Sequence, residues 1–376
     1  MIKKFISIII ISTVLCTVLP EQLSHAKIEK GVTIDIARKY YSKDSLKKIV
    51  QQISEYNGSY LQLHFSDNEN YTINSNYLDQ TANKKNKYFL TKSELEELIK
   101  FANKKNIQVI PDIDLPSHSK GWLTLLRKKD EDLYRNVVSN YSNEMVDYHN
   151  NKASLLVSRK LIKEILVMFE QPKFKNEQKI VLGGDEVPGS IRQQDDFINF
   201  MNEITKVALE GNYTVKLWND SITTNGLKTL NNNVIIMFWQ RKSSDLASVD
   251  DFLKQDYSIE NYNSYSYYLF PSLNEGLQDF NINKRNINKA NLNDFSDLNS
   301  DFTKYVGTNI NGENITFWGE HADDMTQDEL VDYVLSYIEV FSQTKKRIPY
   351  RYGMRFLVYD LILQNYYKLK KIIIKK

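Results

Sequence analysis

The stretch Lys179-Ile180-Val181-Leu182-Gly183-Gly184-Asp185-Glu186 is a short apolar run that ends in two glycines and two adjacent carboxylates. Such a run, bounded by a turn signal, predicts a buried strand. Neighbouring side chains on a strand point to opposite faces, so Asp185 and Glu186 reach one pocket only if the strand ends there and the chain turns. Charge coupling would then separate their pKa values, leaving one carboxyl ionised and one available as an acid. A surface Asp-Glu pair is the alternative.

Seven more strands of this kind are predicted along the chain, with amphipathic helices between them. The strands are residues 32–38, 60–67, 109–116, 214–220, 234–240, 259–265 and 315–320. The helices are residues 45–56, 92–104, 155–169 and 197–209. Strands that alternate with helices over roughly 300 residues predict an α/β fold of the (β/α)8 TIM barrel type. A doubly wound open sheet is the alternative, but no glycine-rich phosphate-binding motif follows any of the strands.

The predicted strands share a second feature, which is a polar or aromatic C-terminal end. These ends carry Asp35 and Arg38, His64 and Asp67, Asp112 and Asp114, Asp185 and Glu186, Trp218 and Asp220, Trp239, Tyr265, and Trp318 and Glu320. A barrel builds its active site at the C-terminal ends of its strands, so this pattern favours the barrel over the open sheet. The Asn- and Asp-rich segment 281–308 predicts a long loop after the seventh strand.

Composition excludes two classes of protein. The 376 residues contain 49 Lys+Arg and 47 Asp+Glu, for a formal net charge of +2. This near-neutral balance argues against a dedicated nucleic-acid binder. With 41% hydrophobic and 12% aromatic residues the chain can bury a large core, which excludes global disorder.

Residues 1–26 have the pattern of a secretory signal peptide. Lys3 and Lys4 precede an apolar run over residues 5–19, and Ser24-His25-Ala26 offers small residues before a cleavage site. The run is shorter than the ~20 residues that span a bilayer, so we expect no membrane anchor. Lipidation of Cys16 is a rival, but bulky Leu15 precedes it. We therefore expect a secreted, extracellular protein, with a barrel over residues 27–346 and a basic C-terminal extension over 347–376.

Cys16 is the only cysteine, so the chain after residue 26 has no disulfide, thiolate metal site or Cys nucleophile. A metal-dependent polysaccharide deacetylase would need clustered His and Asp ligands. The five histidines, one of them in the leader, do not lie at ligand spacing. The sequence therefore predicts no metal site.

Val181-Leu182-Gly183-Gly184-Asp185-Glu186 resembles the catalytic signature of glycoside hydrolase family 20, the β-N-acetylhexosaminidases. The resemblance extends over about residues 30 to 340. It includes Asp35-Ile36-Ala37-Arg38 and segments 63–71, 110–118, 217–220, 238–239, 261–265 and 317–320. Segments 64–71 and 261–265 are similar to the dispersin-type branch, which acts on poly-β-1,6-N-acetylglucosamine of biofilms. The resemblance implies an extracellular N-acetylglucosamine polysaccharide as partner and no cofactor. We expect a monomer.

In this family the 2-acetamido oxygen of the substrate attacks the anomeric carbon, which gives an oxazolinium intermediate and net retention. The resemblance assigns the general acid/base to Glu186 and the orientation of the acetamido N–H to Asp185. Tyr268 would hold the acetamido oxygen, with Tyr265 as the alternative. The remaining implied roles concern the sugar: Arg38 and Glu320 bind hydroxyls at its non-reducing end, Asp67 and His118 line the pocket, and Trp218, Trp239 and Trp318 wall it.

Two segments depart from the family pattern. Val187-Pro188-Gly189 stands where the dispersin-type branch has bulkier residues, including an aromatic. Residues 347–376, with an isoleucine run at 372–374 between lysines, extend past the resemblance. Such a tail could bind anionic polymer or membrane, or simply be solvated. A hexosaminidase for chitin fragments or glycan termini and a non-catalytic polysaccharide-binding barrel stay as alternatives. The sequence leaves open linkage preference, exo or endo action, and tolerance of deacetylated units.

Overall fold

A computed structural model describes residues 28–81, 88–297 and 309–343, and there the chain forms a closed parallel barrel. Strands β1 to β7 pair in sequence order, and β9 pairs with both β7 and β1. The β1–β9 register runs from Glu29 opposite Gly312 to Ile34 opposite Phe317, which closes the barrel. The strands are β1 (Glu29–Asp35), β2 (Tyr60–Ser66), β3 (Gln108–Leu115), β4 (Lys179–Gly183), β5 (Thr214–Trp218), β6 (Val234–Phe238), β7 (Ser258–Asn261), the short β8 (Tyr268–Leu269) and β9 (Ile310–Phe317). The predicted TIM barrel is confirmed, and the open sheet is wrong.

Helices cover the outside of the barrel, and the four predicted ones all form. Within the described residues the helices are Lys43–Glu55, Lys92–Lys104, Lys120–Lys129, Glu131–Val137, Lys152–Met168, Gln194–Glu210, Val249–Lys254, Ser264–Tyr267, Leu277–Lys289 and Gln327–Ser342. Local capping starts several of them: Thr91 Oγ1 accepts from Glu94 N, and Glu94 Oε2 accepts from Thr91 N at 2.9 Å. The first and last described helices, Lys43–Glu55 and Gln327–Ser342, pack side by side across the closing seam.

Two predicted segments differ from the structure. The segment 281–308 is helical in its first part, because the helix Leu277–Lys289 packs Phe280 against Tyr337 and buries Ile287. Tertiary packing there overrides the low helix propensity of asparagine. The strand predicted to end at Tyr265 ends at Asn261, because Asn263 Oδ1 accepts from Tyr265 N and starts a short helix. Residues 298–308 lie outside the described part.

The predicted leader (residues 1–26) and the extension (347–376) also lie outside the described residues. In the part of the chain that is described, no helix has both the length and the apolar character needed to cross a bilayer.

The interior of the barrel is packed with large side chains and contains a buried ion pair. Lys216 Nζ lies 2.9 Å from Glu260 Oε2, and both side chains are almost fully buried. The same ammonium donates to the hydroxyls of Tyr262 at 2.7 Å and Tyr60 at 3.1 Å. Because each buried charge has hydrogen-bonding partners, this cluster is satisfied, and it lies among the aromatic side chains below the mouth of the barrel.

Candidate active site

The backbone after β4 makes the turn that the carboxylate pair requires. Gly183 and Gly184 have φ of +76° and +94°, values that side chains rarely allow. A Cβ on Gly183 would lie 2.6 Å from the backbone nitrogen of Leu115. Glu186 also has a positive φ, +46°, which marks strain at this position. As a result, Asp185 and Glu186 both face the same histidine, so the predicted turn is present.

That histidine is His118, which contacts three carboxylates. Its Nδ1 lies 3.2 Å from Asp67 Oδ1, and its Nε2 lies 3.7 Å from Asp185 Oδ2 and 3.6 Å from Glu186 Oε2. Burial by itself would lower the pKa of His118, but these carboxylates outweigh burial and raise the pKa to about 12. The ring is therefore an imidazolium at neutral pH, placed between Asp67 and the carboxylate pair.

The two carboxyls of the pair have pKa values shifted in opposite directions. Burial raises the pKa of Asp185 to about 6, although His118 opposes the shift. Contact with His118 lowers the pKa of Glu186, whose side chain is 51% exposed to water. The predicted separation of the two pKa values is thus present. Asp185 has the higher pKa of the two, whereas a role as the acid would require the higher pKa for Glu186. Glu186 has the lower pKa because it contacts His118 and is more exposed to water than Asp185.

Arg38 is held at the pocket by carboxylates from two strand ends. Its Nη1 donates to Asp35 Oδ2 at 2.9 Å, and its Nη2 lies 2.7 Å from Asp67 Oδ2. The guanidinium also lies over the Trp318 ring, 5.3 Å from the centroid. Burial opposes the charge, but Asp35, Asp67 and the exposed Glu320 raise the pKa of Arg38. Arg38 and Glu320 follow β1 and β9, which are neighbouring strands.

Aromatic rings form one side of the pocket. Trp239 and Tyr268 stack with centroids 5.6 Å apart and an angle of 6° between the rings. Tyr268 meets Trp318 edge to face at 5.5 Å. Trp218 is only 1% exposed and packs between Trp318 and Tyr262, so it lies behind the pocket wall as core. Trp239 and Tyr268 are partly exposed, and a ligand can reach them.

Of the two candidate tyrosines, the structure brings Tyr268 to the carboxylates. Tyr268 belongs to β8 and pairs with Thr316 of β9. Burial raises its pKa well above the usual value, and the charges of Asp185, Asp220 and Glu186 raise it further. Its hydroxyl is therefore protonated and available as a donor. Tyr265 lies on the helix Ser264–Tyr267 and is 76% exposed to water.

The site contains further residues for which sequence analysis gave no role. Asp220 Oδ2 accepts from Glu186 N at 3.2 Å, and burial together with Asp185 raises the pKa of Asp220 to about 7. Asp114 also has a raised pKa, through burial and Asp185. Both residues stood at predicted strand ends, which was the signal available. Their raised pKa values depend on burial and on the charge of Asp185, which the linear pattern does not contain.

Within the described residues, one group of side chains has the spacing of a metal site: His64, Asp67 and Asp114, whose ligand atoms lie within 4.8 Å of one another. His64 Nε2 is 2.8 Å from Asp67 Oδ2, which Arg38 also contacts. Although burial opposes it, Asp114 and Asp112 raise the pKa of His64 well above its usual value. Hydrogen bonds and ion pairs connect this group to Arg38 through Asp67.

The part of the chain that forms the barrel and this site is similar to known proteins. A model of the glycosyl hydrolase family 20 catalytic domain matches residues 30–333. The crystal structure of Dispersin B superposes with a TM-score of 0.78 at 25% identity, covering 85% of this chain and 99% of that one. A catalytic module of a pneumococcal exo-β-D-N-acetylglucosaminidase superposes with a TM-score of 0.70 at 20% identity, covering 87% and 86%.

Similar curated proteins are longer than this chain. A β-hexosaminidase subunit beta of Entamoeba histolytica is 26% identical over 164 residues, which are 42% of this chain and 28% of that protein. The chitooligosaccharidolytic β-N-acetylglucosaminidase of Ostrinia furnacalis is 24% identical over 245 residues, or 61% and 40%. The chain therefore spans less than half the length of these two relatives.

Proposed function

The chain belongs to glycoside hydrolase family 20, and from that premise we propose that it hydrolyses β-linked N-acetylglucosaminides with net retention. The observation that carries the proposal is the carboxylate pair at the end of β4. Asp185 and Glu186 lie against one imidazolium, beside the aromatic wall of Trp239, Tyr268 and Trp318. A neutral tyrosine, an ionisable pair and aromatic faces suit the recognition of an acetamido sugar.

Glu186 is the general acid/base in this proposal. It is the more accessible member of the pair, so it can reach the oxygen of the bond that breaks. While water covers Glu186, contact with His118 keeps the pKa of Glu186 low. A sugar ring laid over Glu186 removes that water, and burial raises the pKa of a carboxyl. Substrate binding thereby moves Glu186 toward the protonated form that donates to the leaving group.

Asp185 and Tyr268 orient the acetamido group. The oxygen of that group attacks the anomeric carbon, the bond to the leaving oxygen breaks, and Glu186 supplies the proton to that oxygen. Asp185 accepts a hydrogen bond from the acetamido N–H and balances the positive charge of the oxazolinium. The Tyr268 hydroxyl donates to the acetamido oxygen. Water activated by Glu186 then opens the oxazolinium, restores the acetamide and returns the proton to Glu186.

Arg38 and Glu320 recognise the non-reducing end of the sugar. They present a cation and an anion that can bind neighbouring hydroxyls. Asp35 and Asp67 hold the guanidinium at 2.9 and 2.7 Å. Because Arg38 is already held in place, its side chain loses little conformational entropy when substrate binds. This end of the pocket favours release of single sugars from chain ends.

We further propose that the substrate is poly-β-1,6-N-acetylglucosamine in an extracellular matrix, and that the protein is secreted. Residues 64–71 and 261–265 resemble the dispersin-type branch, and the fold superposes on 99% of the Dispersin B chain. The signal-peptide pattern in residues 1–26 supports export. The rival substrate is a chitin oligomer, since one similar protein is named for chitooligosaccharides.

An activity assay of the purified protein distinguishes the two candidate substrates. Wild type and Glu186→Gln would be compared on 4-nitrophenyl β-N-acetylglucosaminide and on matched β-1,6- and β-1,4-linked trimers. We expect turnover by the wild type and higher kcat/KM on the β-1,6 trimer. A clear β-1,4 preference would assign the protein to chitin-type substrates. Binding of oligomers without turnover by the wild type would indicate a non-catalytic polysaccharide-binding barrel.

A further inference from the structure

The connection between the helices Glu131–Val137 and Lys152–Met168, which follows β3, carries an exposed tyrosine at the tip of a narrow turn. Val138 and Val146 form an antiparallel bridge, and Ser139 N donates to Met145 O at 2.9 Å. Between them, Tyr141 is 71% exposed. Its backbone nitrogen donates to Ser139 Oγ at 3.1 Å, so the tip has a defined conformation. An exposed tyrosine ring held at a defined position offers contact area to a ligand at little cost in conformational entropy.

Hydrogen bonds on both sides place this turn at the pocket. On one side Asn68 Nδ2, next to Asp67, donates to Glu144 Oε2 at 3.4 Å. On the other, Tyr148 OH donates to Pro188 O at 3.0 Å, two residues beyond Glu186. The turn therefore borders the pocket at the loop that carries the acid/base.

A stack of aromatic rings supports Tyr141 from below. Tyr141 contacts the His149 ring with centroids 5.5 Å apart, and His149 stacks on Tyr148 at 4.0 Å. Tyr148 is 1% exposed, so the stack is anchored in the core. His149 Nδ1 is also 2.9 Å from Asp147 Oδ1, which holds the imidazole in place. A supported tyrosine with two side-chain torsions offers contact area at little cost in entropy.

The position of the turn around the barrel identifies which sugar it can meet. Arg38 and Glu320, which bind the non-reducing end in the proposed function, follow the neighbouring strands β1 and β9. Glu186 follows β4, and Tyr141 lies in the segment that connects the adjacent strand β3 to β4. A leaving part of the polymer that passes Glu186 on the side of β3 therefore meets this turn. The segment Val187-Pro188-Gly189 has no ring to offer it.

We propose that Tyr141 is a binding platform for an N-acetylglucosamine unit on the leaving-group side of the cleaved bond. The ring would pack on the C–H face of a pyranose one or two units beyond Glu186. This inference rests on the proposed function, because it assumes that a β-linked N-acetylglucosamine polymer is the occupant. It makes Tyr141 a determinant of preference for long substrates over short ones.

Chain-length dependence tests the platform in the full chain. The measured quantity is the ratio of kcat/KM for a β-1,6-linked pentasaccharide to kcat/KM for 4-nitrophenyl β-N-acetylglucosaminide. We expect Tyr141→Ala to lower this ratio about three- to tenfold, and Tyr141→Phe to retain most of it, because the ring makes the contact. Val167→Ala, at an exposed apolar residue near the end of the helix Lys152–Met168, is the control and should keep the wild-type ratio.

Binding measurements separate failure of the platform from failure of the proposed function. Calorimetric titration of the pentasaccharide would compare Glu186→Gln with Glu186→Gln/Tyr141→Ala. Weaker binding by the double variant supports the platform even if the wild type proves inactive, in which case only the proposed function fails. Equal affinity of the two chains, or an unchanged ratio in Tyr141→Ala, would overturn the platform.

Discussion

His118 Nε2 lies 3.6 Å from Glu186 Oε2 and 3.7 Å from Asp185 Oδ2, so one imidazolium contacts both members of the carboxylate pair. Its positive charge lowers the pKa of Glu186 and opposes the burial that raises the pKa of Asp185 to about 6. Asp67 holds the opposite nitrogen of the ring at 3.2 Å. The pH dependence of the proposed reaction is therefore tied to one histidine.

His118→Gln should move both limbs of the pH profile of kcat to higher pH, because kcat reports the pKa values of the substrate complex, in which the sugar has removed water from Glu186. Loss of the imidazolium raises the pKa of Asp185, which must be ionised, and so moves the acid limb upward. It also raises the pKa of Glu186, which must be protonated, and so moves the alkaline limb upward. The measurement is kcat at saturating oligosaccharide as a function of pH. His149→Gln, which removes an imidazole outside the pair, is the control, and limbs that do not move in His118→Gln would contradict the assignment.

Lys242→Met should move only the alkaline limb of the pH profile of kcat, and by less than His118→Gln moves it. The charge of Lys242 lowers the pKa of Glu186, and its ammonium lies over the Trp239 ring, 5.4 Å from the centroid. Removing the charge raises the pKa of Glu186, so activity should persist to higher pH. Lys242→Arg keeps the charge and should keep the wild-type limb. A shift of the same size in both variants would show that the effect is not electrostatic.

Glu186→Gln should keep the fold and lose about 10²- to 10⁴-fold of kcat on oligosaccharides, because an amide cannot donate the proton. Glycosides with very acidic leaving groups need little protonation, so their cleavage step should suffer less. Steady-state kinetics on both substrate types and circular dichroism spectra of the folded chain check this. Turnover of oligomers at the wild-type rate would exclude Glu186 as the acid.

Asp185→Asn should also remove most activity, although Asp185 neither attacks nor donates a proton in the proposed mechanism. The amide cannot balance the oxazolinium charge, and its NH₂ group can face the acetamido N–H. A thiazoline analogue of the intermediate should inhibit the wild type strongly and Asp185→Asn weakly. Equal inhibition constants for the two proteins would argue that the acetamido group is not the nucleophile.

Lys216→Met should lower the free energy of unfolding by about 3–5 kcal/mol, because it leaves Glu260 charged and buried without its partner. The double variant Lys216→Met/Glu260→Leu should recover much of that loss, since an apolar pair replaces the ion pair. Urea denaturation followed by tryptophan fluorescence measures both. A double variant as unstable as the sum of the single ones would show that the two charges do not stabilise each other.

Local patterns in the chain were sufficient to predict the eight barrel strands and the helices that form between several of them. Short apolar runs, the amphipathic spacing of the helices, and the glycines Gly183 and Gly184 all act within a few residues. The same locality explains why the strand ends near Asp35, Asp67 and Asp185 could be recognised as one face. Parallel strands place all their C-terminal ends on the same side of a barrel.

Sequence reasoning failed where packing between distant segments decides the outcome. The helix Leu277–Lys289 forms because Ile287 is buried and Phe280 packs against Tyr337. The asparagine-rich composition of this segment gives no sign of that packing. The partner of Lys216 is Glu260, 44 residues away, and no spacing rule links them. Trp218 had the position of a pocket wall, but its neighbours cover it almost completely.

The amino-acid sequence by itself determined the barrel, the family and the residues that gather at its C-terminal face, because strand period, turn chemistry and motif identity are properties of short segments. Only the tertiary structure decided which tyrosine, Tyr268 or Tyr265, meets the carboxylates, and that Asp185 and Glu186 have pKa values shifted in opposite directions. Those outcomes depend on burial and on distances to His118 and Asp220. Solvent exclusion and Coulomb interaction are set by neighbours in space, which the order of residues along the chain does not specify.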